Sequence, residues 1–219
     1  MKRQVITISS MFLILLVFTI FSQTSNKRQE LNVSPPESVP KMVKQAIELA
    51  ECAQAGKAIA TLKKVISLAP NYLKAHSEYI RVKTYLLEKY DEVRAEYESL
   101  MAREPDNPVY PMALAMAQSL TTGKKMMTWF EKVAELAPDW AWGHYAQAAL
   151  WSDKEPEKAA AELLKCIEED PTEIQPYYML MFIQADKLGK IDDAISTAKK
   201  MVAQPELRAD GLVALWQFH

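Results

Sequence analysis

Glycine occurs only five times in 219 residues, cysteine twice and histidine three times. With glycine and cysteine so sparse, no Gly-rich phosphate loop, no Gly-x-Ser-x-Gly and no Cys-x-x-Cys can be found, and there is no His-Glu-x-x-His. Cys52 and Cys166 are too few and too far apart for a disulfide framework, so either redox compartment suits the chain and each reads as a small buried hydrophobe. An excess of positive charge is missing as well. Lys2, Arg3, Lys27 and Arg28 are four of the 26 basic residues and Glu30 is one of the 28 acidic ones, so residues 31–219 carry a formal charge of −5. A surface of that sign repels phosphate backbones, which excludes nucleic acid as a partner. What is plentiful is Ala, Leu, Glu, Lys and Met, the residues that lose least on entering a helix, so the chain reads as all-α.

The first residues differ from the rest. Lys2 and Arg3 precede a charge-free stretch from Gln4 to Asn26 whose centre, Met11 to Phe21, is an apolar run broken only by Thr19. A basic head followed by such a run is the pattern of a secretory signal peptide or of a single membrane anchor, here residues 1–24. Residues 25–37 read as a linker, stiffened towards its end by Pro35 and Pro36 and followed by Pro40. The repeat-bearing part is then exported or held at a membrane. Asn32-Val33-Ser34 fits an N-glycosylation pattern that is common by chance.

Twelve prolines are awkward in an all-α chain until their spacing is read. Pro70, Pro105, Pro138, Pro171 and Pro205 each follow a short apolar-acidic stretch and stand 35, 33, 33 and 34 residues apart. Proline cannot continue a helix, so each marks the end of a second helix and the turn into another unit. Gly56, Gly123 and Gly189 fall where the two helices of a unit are joined, and small residues recur where helices must approach, with Ala58 and Ala159 each 12 residues before their closing proline. His76 and His144 occupy one repeat position 68 residues apart, which makes a structural role the plain reading of both.

This pattern resembles the tetratricopeptide repeat (TPR) family, whose unit is about 34 residues long. Counted from the prolines, five units run over 38–72, 73–107, 108–140, 141–173 and 174–207, and residues 208–219 form a capping helix or the start of a sixth unit. Ala46, Ala115 and Ala148 match the family's small eighth position, and Ala58 and Ala159 its twentieth; Ile80, Met181, Val93 and Met126 depart from these. The resemblance implies a right-handed superhelical stack, an α-solenoid, that binds a partner peptide or helix in a concave groove lined by the first helix of every unit. On the family's groove positions stand Lys74, Ser77, Arg81 and Thr84, then Val109, Met112, Met116 and Ser119, then Trp142, Tyr145, Ala149 and Ser152, then Gln175, Tyr178, Phe182 and Ala185. The groove is therefore expected to be aromatic and Met-rich towards the C-terminus with a cationic edge, its chief contacts being Lys74, Arg81, Met112, Met116, Trp142, Tyr145, Tyr178 and Phe182. Val43 and Ile47 stand where the family's carboxylate-binding members need Lys and Asn.

The functional expectation is a non-catalytic adaptor that binds protein or peptide and uses no cofactor or metal. Glu168-Glu169-Asp170 and Asp192-Asp193 read as solvated helix ends. Leu212, Leu215, Trp216 and Phe218 give the last helix an apolar face suited to a homodimer contact. The alternative is a docking or regulatory module of a longer enzyme or assembly.

Overall fold

The computed structural model describes residue 31, residues 35–117 and residues 123–218. The signal or anchor segment, most of the linker, Asn32-Val33-Ser34, Ser119 and His219 lie outside the described residues. Among the described residues, no helix is long and apolar enough to cross a membrane.

The described chain forms five helical hairpins and one further helix. The first hairpin is α1 (Ser38–Glu51) and α2 (Ala55–Leu68). The second is α3 (Leu73–Arg81), which runs into a π-turn over Val82–Leu86, and α4 (Tyr90–Arg103). The third is α5 (Val109–Met116) and α6 (Lys124–Leu136), and the fourth α7 (Ala141–Trp151) and α8 (Pro156–Glu169). The fifth is α9 (Ile174–Phe182), again ending in a π-turn (Ile183–Lys187), and α10 (Ile191–Ala203). A 3-10 turn over Pro205–Leu207 leads to α11 (Arg208–Trp216).

Each second helix stops two residues before its closing proline: Leu68, Arg103, Leu136, Glu169 and Ala203 precede Pro70, Pro105, Pro138, Pro171 and Pro205. The residue between them, from Ala69 (φ −140, ψ 76) to Asp170 (φ −136, ψ 86), has left the helical region. Steric clash with the proline ring enforces that departure. In three units, a side chain early in the following first helix then meets the turn. His76 Nε2 donates to the Pro70 carbonyl at 2.8 Å, the Tyr177 hydroxyl donates to the Pro171 carbonyl at 3.2 Å, and the Tyr110 hydroxyl donates to the Glu104 carboxylate at 3.1 Å. In the fourth unit Gln147 donates to the Pro138 carbonyl at 2.8 Å. Three of these bonds satisfy turn carbonyls that have no intrahelical donor, and the Tyr110 bond ties the turn through a carboxylate instead.

Four of the five hairpin turns hold one residue in the left-handed region. Gly123 (φ 55) and Gly189 (φ 65) supply it in the third and fifth units, but in the first and second it is Ala53 (φ 56) and Glu88 (φ 55). Gly56, read as a joining residue, lies instead within the first turn of α2. Cys52, read as buried, is exposed in the same turn as Ala53, whereas Cys166 is buried in α8.

Hairpin packs on hairpin through the small residues. Ala46, Ala58, Ala148, Ala159 and Ala194 are fully buried. Gly143 in α7 crosses so close to the preceding turn that an added Cβ would lie 1.8 Å from the Ala137 carbonyl oxygen. One apolar core runs from Val39 to Cys166, and two smaller clusters continue it, one joining α7, α8 and α9 and one joining α9, α10 and α11. Fully burying a Leu or Val such as Leu62, Val65 or Leu163 contributes roughly 2 kcal/mol, so each interface stabilises the hairpins on both sides.

Candidate functional site: the inner face and its two recesses

The expected groove residues separate into three environments. Met112 is fully buried and Trp142 is 5% exposed, so neither is presented to a partner in this structure. Val109, Thr84 and Ala149 are buried with them. The short, wholly apolar α5 packs against α3, α4 and α6, which buries Met112 and Val109, while Trp142 packs beside Tyr145 on α7. Tyr145 is half-buried, its ring 5.4 Å from Trp142 and 6.0 Å from Phe130, and burial raises its hydroxyl pKa to about 12. Met116 is half-buried against Ser77, whose hydroxyl lies 3.9 Å from its sulfur. Arg81 is partly exposed and held by Glu78 at 2.7 Å.

Lys74 and Trp142 come together in a cleft of about 910 Å³ at the edge formed by the turns between hairpins. The turns 68–74, 140–142 and 169–173 line it, and Leu31, Pro35, Pro36 and Pro40 close its other side. Curvature of the stack is tight enough here that Lys74 of the second unit pairs with Glu173 of the fourth, at the start of the fifth, at 3.5 Å. Burial, then repulsion from Asp170 and Glu78, raises the Glu173 carboxyl against the pull of Lys74. Burial also raises Glu169, with Asp139 and Glu168 adding to it and His144 opposing. The Tyr72 hydroxyl, in the same wall, is pushed up to about 12 by burial and by Glu173 and Asp170. Glu169 and Asp170 stand at the end of α8 as the sequence reads them, Glu169 exposed and Asp170 half-buried, and both also line this recess opposite the turn 68–74.

Tyr178 and Phe182 open into a second, smaller recess of about 380 Å³ with Met181, Ile191 and Phe218. Here the aromatic side chains are available: Tyr178 is 39% and Phe182 50% exposed. Lys187 lies 5.6 Å from the Phe182 ring centroid and pairs with Asp153 at 2.6 Å. Beyond it, Leu212, Val213 and Trp216 of α11 face outward, while Leu215 and Phe218 pack on the last core cluster.

The remaining reactive groups are occupied by the fold. His76 Nδ1 accepts from the Tyr97 hydroxyl at 2.9 Å, and burial lowers its pKa despite the Pro70 carbonyl and Glu96. His144 Nδ1 meets Glu162 at 2.5 Å. Burial, reinforced by Asp170, Glu169 and Glu173, pushes the Cys166 thiol far up and disfavours a thiolate. Among the described residues, no group of three or more His, Cys, Asp or Glu side chains could hold a metal ion.

Paired helices stacked hairpin on hairpin through a continuous apolar core define a TPR-like α-solenoid. A similar solved structure is that of a thermophilic TPR protein of Thermus thermophilus, TTC0263, with a TM-score of 0.55 over 81% of this chain and 99% of that one, at 17% sequence identity. No protein-family model and no curated protein matches the chain by sequence. At that identity the likeness shows the fold.

Proposed function

We propose that this chain is a non-catalytic scaffold that holds a partner protein on the inner face of its solenoid. The observation that carries the reading is the exposed pair Tyr178 and Phe182, two large aromatic side chains standing one helical turn apart over a recess that Met181, Ile191 and Phe218 line together with Asp186 and Gln217. Aromatic side chains over such a recess suit an apolar peptide or helix, because they bury much area at little entropic cost. The engagement of His76 and His144 in the fold, and the suppressed thiol of Cys166, support a role without chemistry. Residues 1–24 would export the chain or tether it to a membrane, in keeping with their basic head and apolar run.

The second reading is a docking module of a larger assembly, and one observation favours it. Leu212, Val213 and Trp216 on α11 are 55%, 58% and 78% exposed, an apolar face suited to another helix or to a second copy in a homodimer.

The test is capture of partners by the immobilised full chain, with Tyr178→Glu/Phe182→Glu as the parallel bait. Both side chains are exposed, so the variant should keep its helicity by circular dichroism. A protein held by the native chain and lost by the variant is the expected outcome. Equal capture by both would remove the inner face from the account and move attention to α11.

A further inference from the structure

A carboxylate stands unpaired on the rim of the recess at Tyr178 and Phe182. Asp186 lies a turn beyond Phe182, on the stripe that Tyr178 and Phe182 begin, and lines the recess with Met181, Ile191 and Phe218. Among the described residues no cation pairs with it. The neighbouring Lys187 is taken by Asp153 at 2.6 Å, Arg208 donates to the Val202 carbonyl at 3.4 Å, and neither these nor Lys190 line the recess. The fold gains nothing from the charge. Asp186 sits in the π-turn that ends α9, where helix carbonyls repel an anion, and the second hairpin carries Tyr85 at the same place in its own π-turn. A second carboxylate, Asp210 in the first turn of α11, stands by the other end of the aromatic pair, where it adds to the burial that raises the Tyr178 hydroxyl. The two rings between these carboxylates are open, Tyr178 39% and Phe182 50% exposed.

We infer that this recess takes an amphipathic helix of a partner protein with basic residues at both ends of its apolar stripe. The apolar side chains seat on Tyr178 and Phe182, and the cations pair with Asp186 and Asp210. Charge complementarity chooses the occupant: two carboxylates with no cation of their own attract a basic segment and repel an acidic one. Spacing chooses its form. Tyr178 and Phe182 are one turn apart on α9, about 6 Å along its axis, which is also the rise between successive apolar positions of a helix laid beside it. A recess of about 380 Å³ takes the side chains of such a face and leaves their backbone outside. Open aromatic rings supply the apolar area, and the carboxylates at either end fix which segments may use it.

This inference rests on the reading of Tyr178 and Phe182 as the partner-holding surface and names the chemistry of what they hold. It is tested by fluorescence anisotropy of a labelled amphipathic helix of leucine and lysine against the full chain in phosphatidylcholine nanodiscs, with empty discs as the blank. Counterparts with glutamate or glutamine in place of every lysine complete the set. The lysine helix should bind most tightly, and the glutamate helix should not bind. Asp186→Asn/Asp210→Asn should weaken the lysine helix about fivefold and leave the glutamine helix as it was. Glu131→Gln/Glu135→Gln, an equal loss of charge on the exposed face of α6, should change neither. Phe182→Ala should weaken the lysine and glutamine helices alike. Equal binding of the three helices, or equal weakening by the two double variants, would overturn the proposal. A dimer in sedimentation that Phe182→Glu dissolves would give the recess to a second copy and overturn it too. If the peptides fail while a captured partner is still lost on Tyr178→Glu/Phe182→Glu, this inference alone falls. Failure of both experiments overturns the partner-holding reading with it.

Discussion

The second and fifth hairpins are the same device built twice, and they differ most on the face they turn inward. Both first helices end in a five-residue π-turn, Val82–Leu86 and Ile183–Lys187. Both close with the same long-reach bond, from the Lys89 amide to the Lys83 carbonyl at 3.0 Å and from the Lys190 amide to the Gln184 carbonyl at 2.7 Å. Their left-handed residues are Glu88 and Gly189, and their ties to the preceding proline turn are His76 and Tyr177. Even the bond between the two arms is equivalent. Lys83 reaches Glu96 at 3.0 Å, and Gln184 accepts from the Thr197 hydroxyl at 2.8 Å. On the inner face the likeness ends: Ser77 and Arg81 stand where the fifth unit carries Tyr178 and Phe182. Positions that hold the hairpin together keep their role while changing chemistry, and these inner positions of the first helix change character altogether.

The comparison is broken most strongly at the arm-to-arm bond. Lys83 is buried, and burial alone would lower its pKa; hydrogen bonds with Glu92 at 2.6 Å, Glu96 and Tyr79 outweigh that and hold it above its usual value. The same contact pulls the Glu92 carboxyl down to about 2, with Lys89 assisting. Lys83→Met should therefore cost about 2 kcal/mol in urea unfolding, less than a fully buried pair because the carboxylates are left near water. Gln184→Met, which removes a neutral hydrogen bond, should cost about 1 kcal/mol. Equal losses would deny that one clamp is ionic and the other neutral.

At the turns the signs should oppose. Glu88→Gly relieves a side chain held at φ 55 and should stabilise by about 1 kcal/mol, while Gly189→Ala at φ 65 should destabilise by a similar amount. Thermal melting of the two variants reads both.

The histidine and tyrosine ties sharpen the comparison through pH. Burial holds His76 below its ordinary value, so the unfolded chain binds the proton more readily than the folded one. The stability contributed by neutral His76 is present above about pH 6.5 and is lost as pH falls below it. His76→Gln should be less stable at pH 7.5 and should show a flatter loss between that pH and 5. Tyr177→Phe should leave the slope in this range as it is, because the Tyr177 hydroxyl, raised by burial, stays protonated throughout.

The smallest effect on stability belongs to the inner face. Tyr178→Ser/Phe182→Arg, which writes the second unit's residues onto the fifth, should change unfolding by no more than about 0.5 kcal/mol and yet abolish capture of the partner.

What was legible in the sequence follows the range over which each signal acts. The closing prolines act on the residue before them, so their spacing carried the solenoid directly. Small residues at close approaches, Ala46, Ala58, Ala148 and Ala159, were legible for the same reason. The turn at Ala53 was not, because the chain tolerates a left-handed alanine there and places Gly56 inside a helix. Of the expected groove residues, exposure was legible only towards the C-terminal end, at Tyr178 and Phe182. Met112 and Trp142 occupy groove positions by repeat count, but whether such a residue is open depends on tertiary packing: Met112 is buried where α5 packs on three helices at once, and Trp142 is 5% exposed on α7. The cleft was invisible in sequence, since Lys74 and Glu173 are 99 residues apart.

The most direct measurement is amide hydrogen exchange of the full chain with and without its captured partner. The account predicts slowed exchange over 174–187, with residues 77–86 unchanged. Slowing confined to the outer helices α4, α6 and α8 would contradict it.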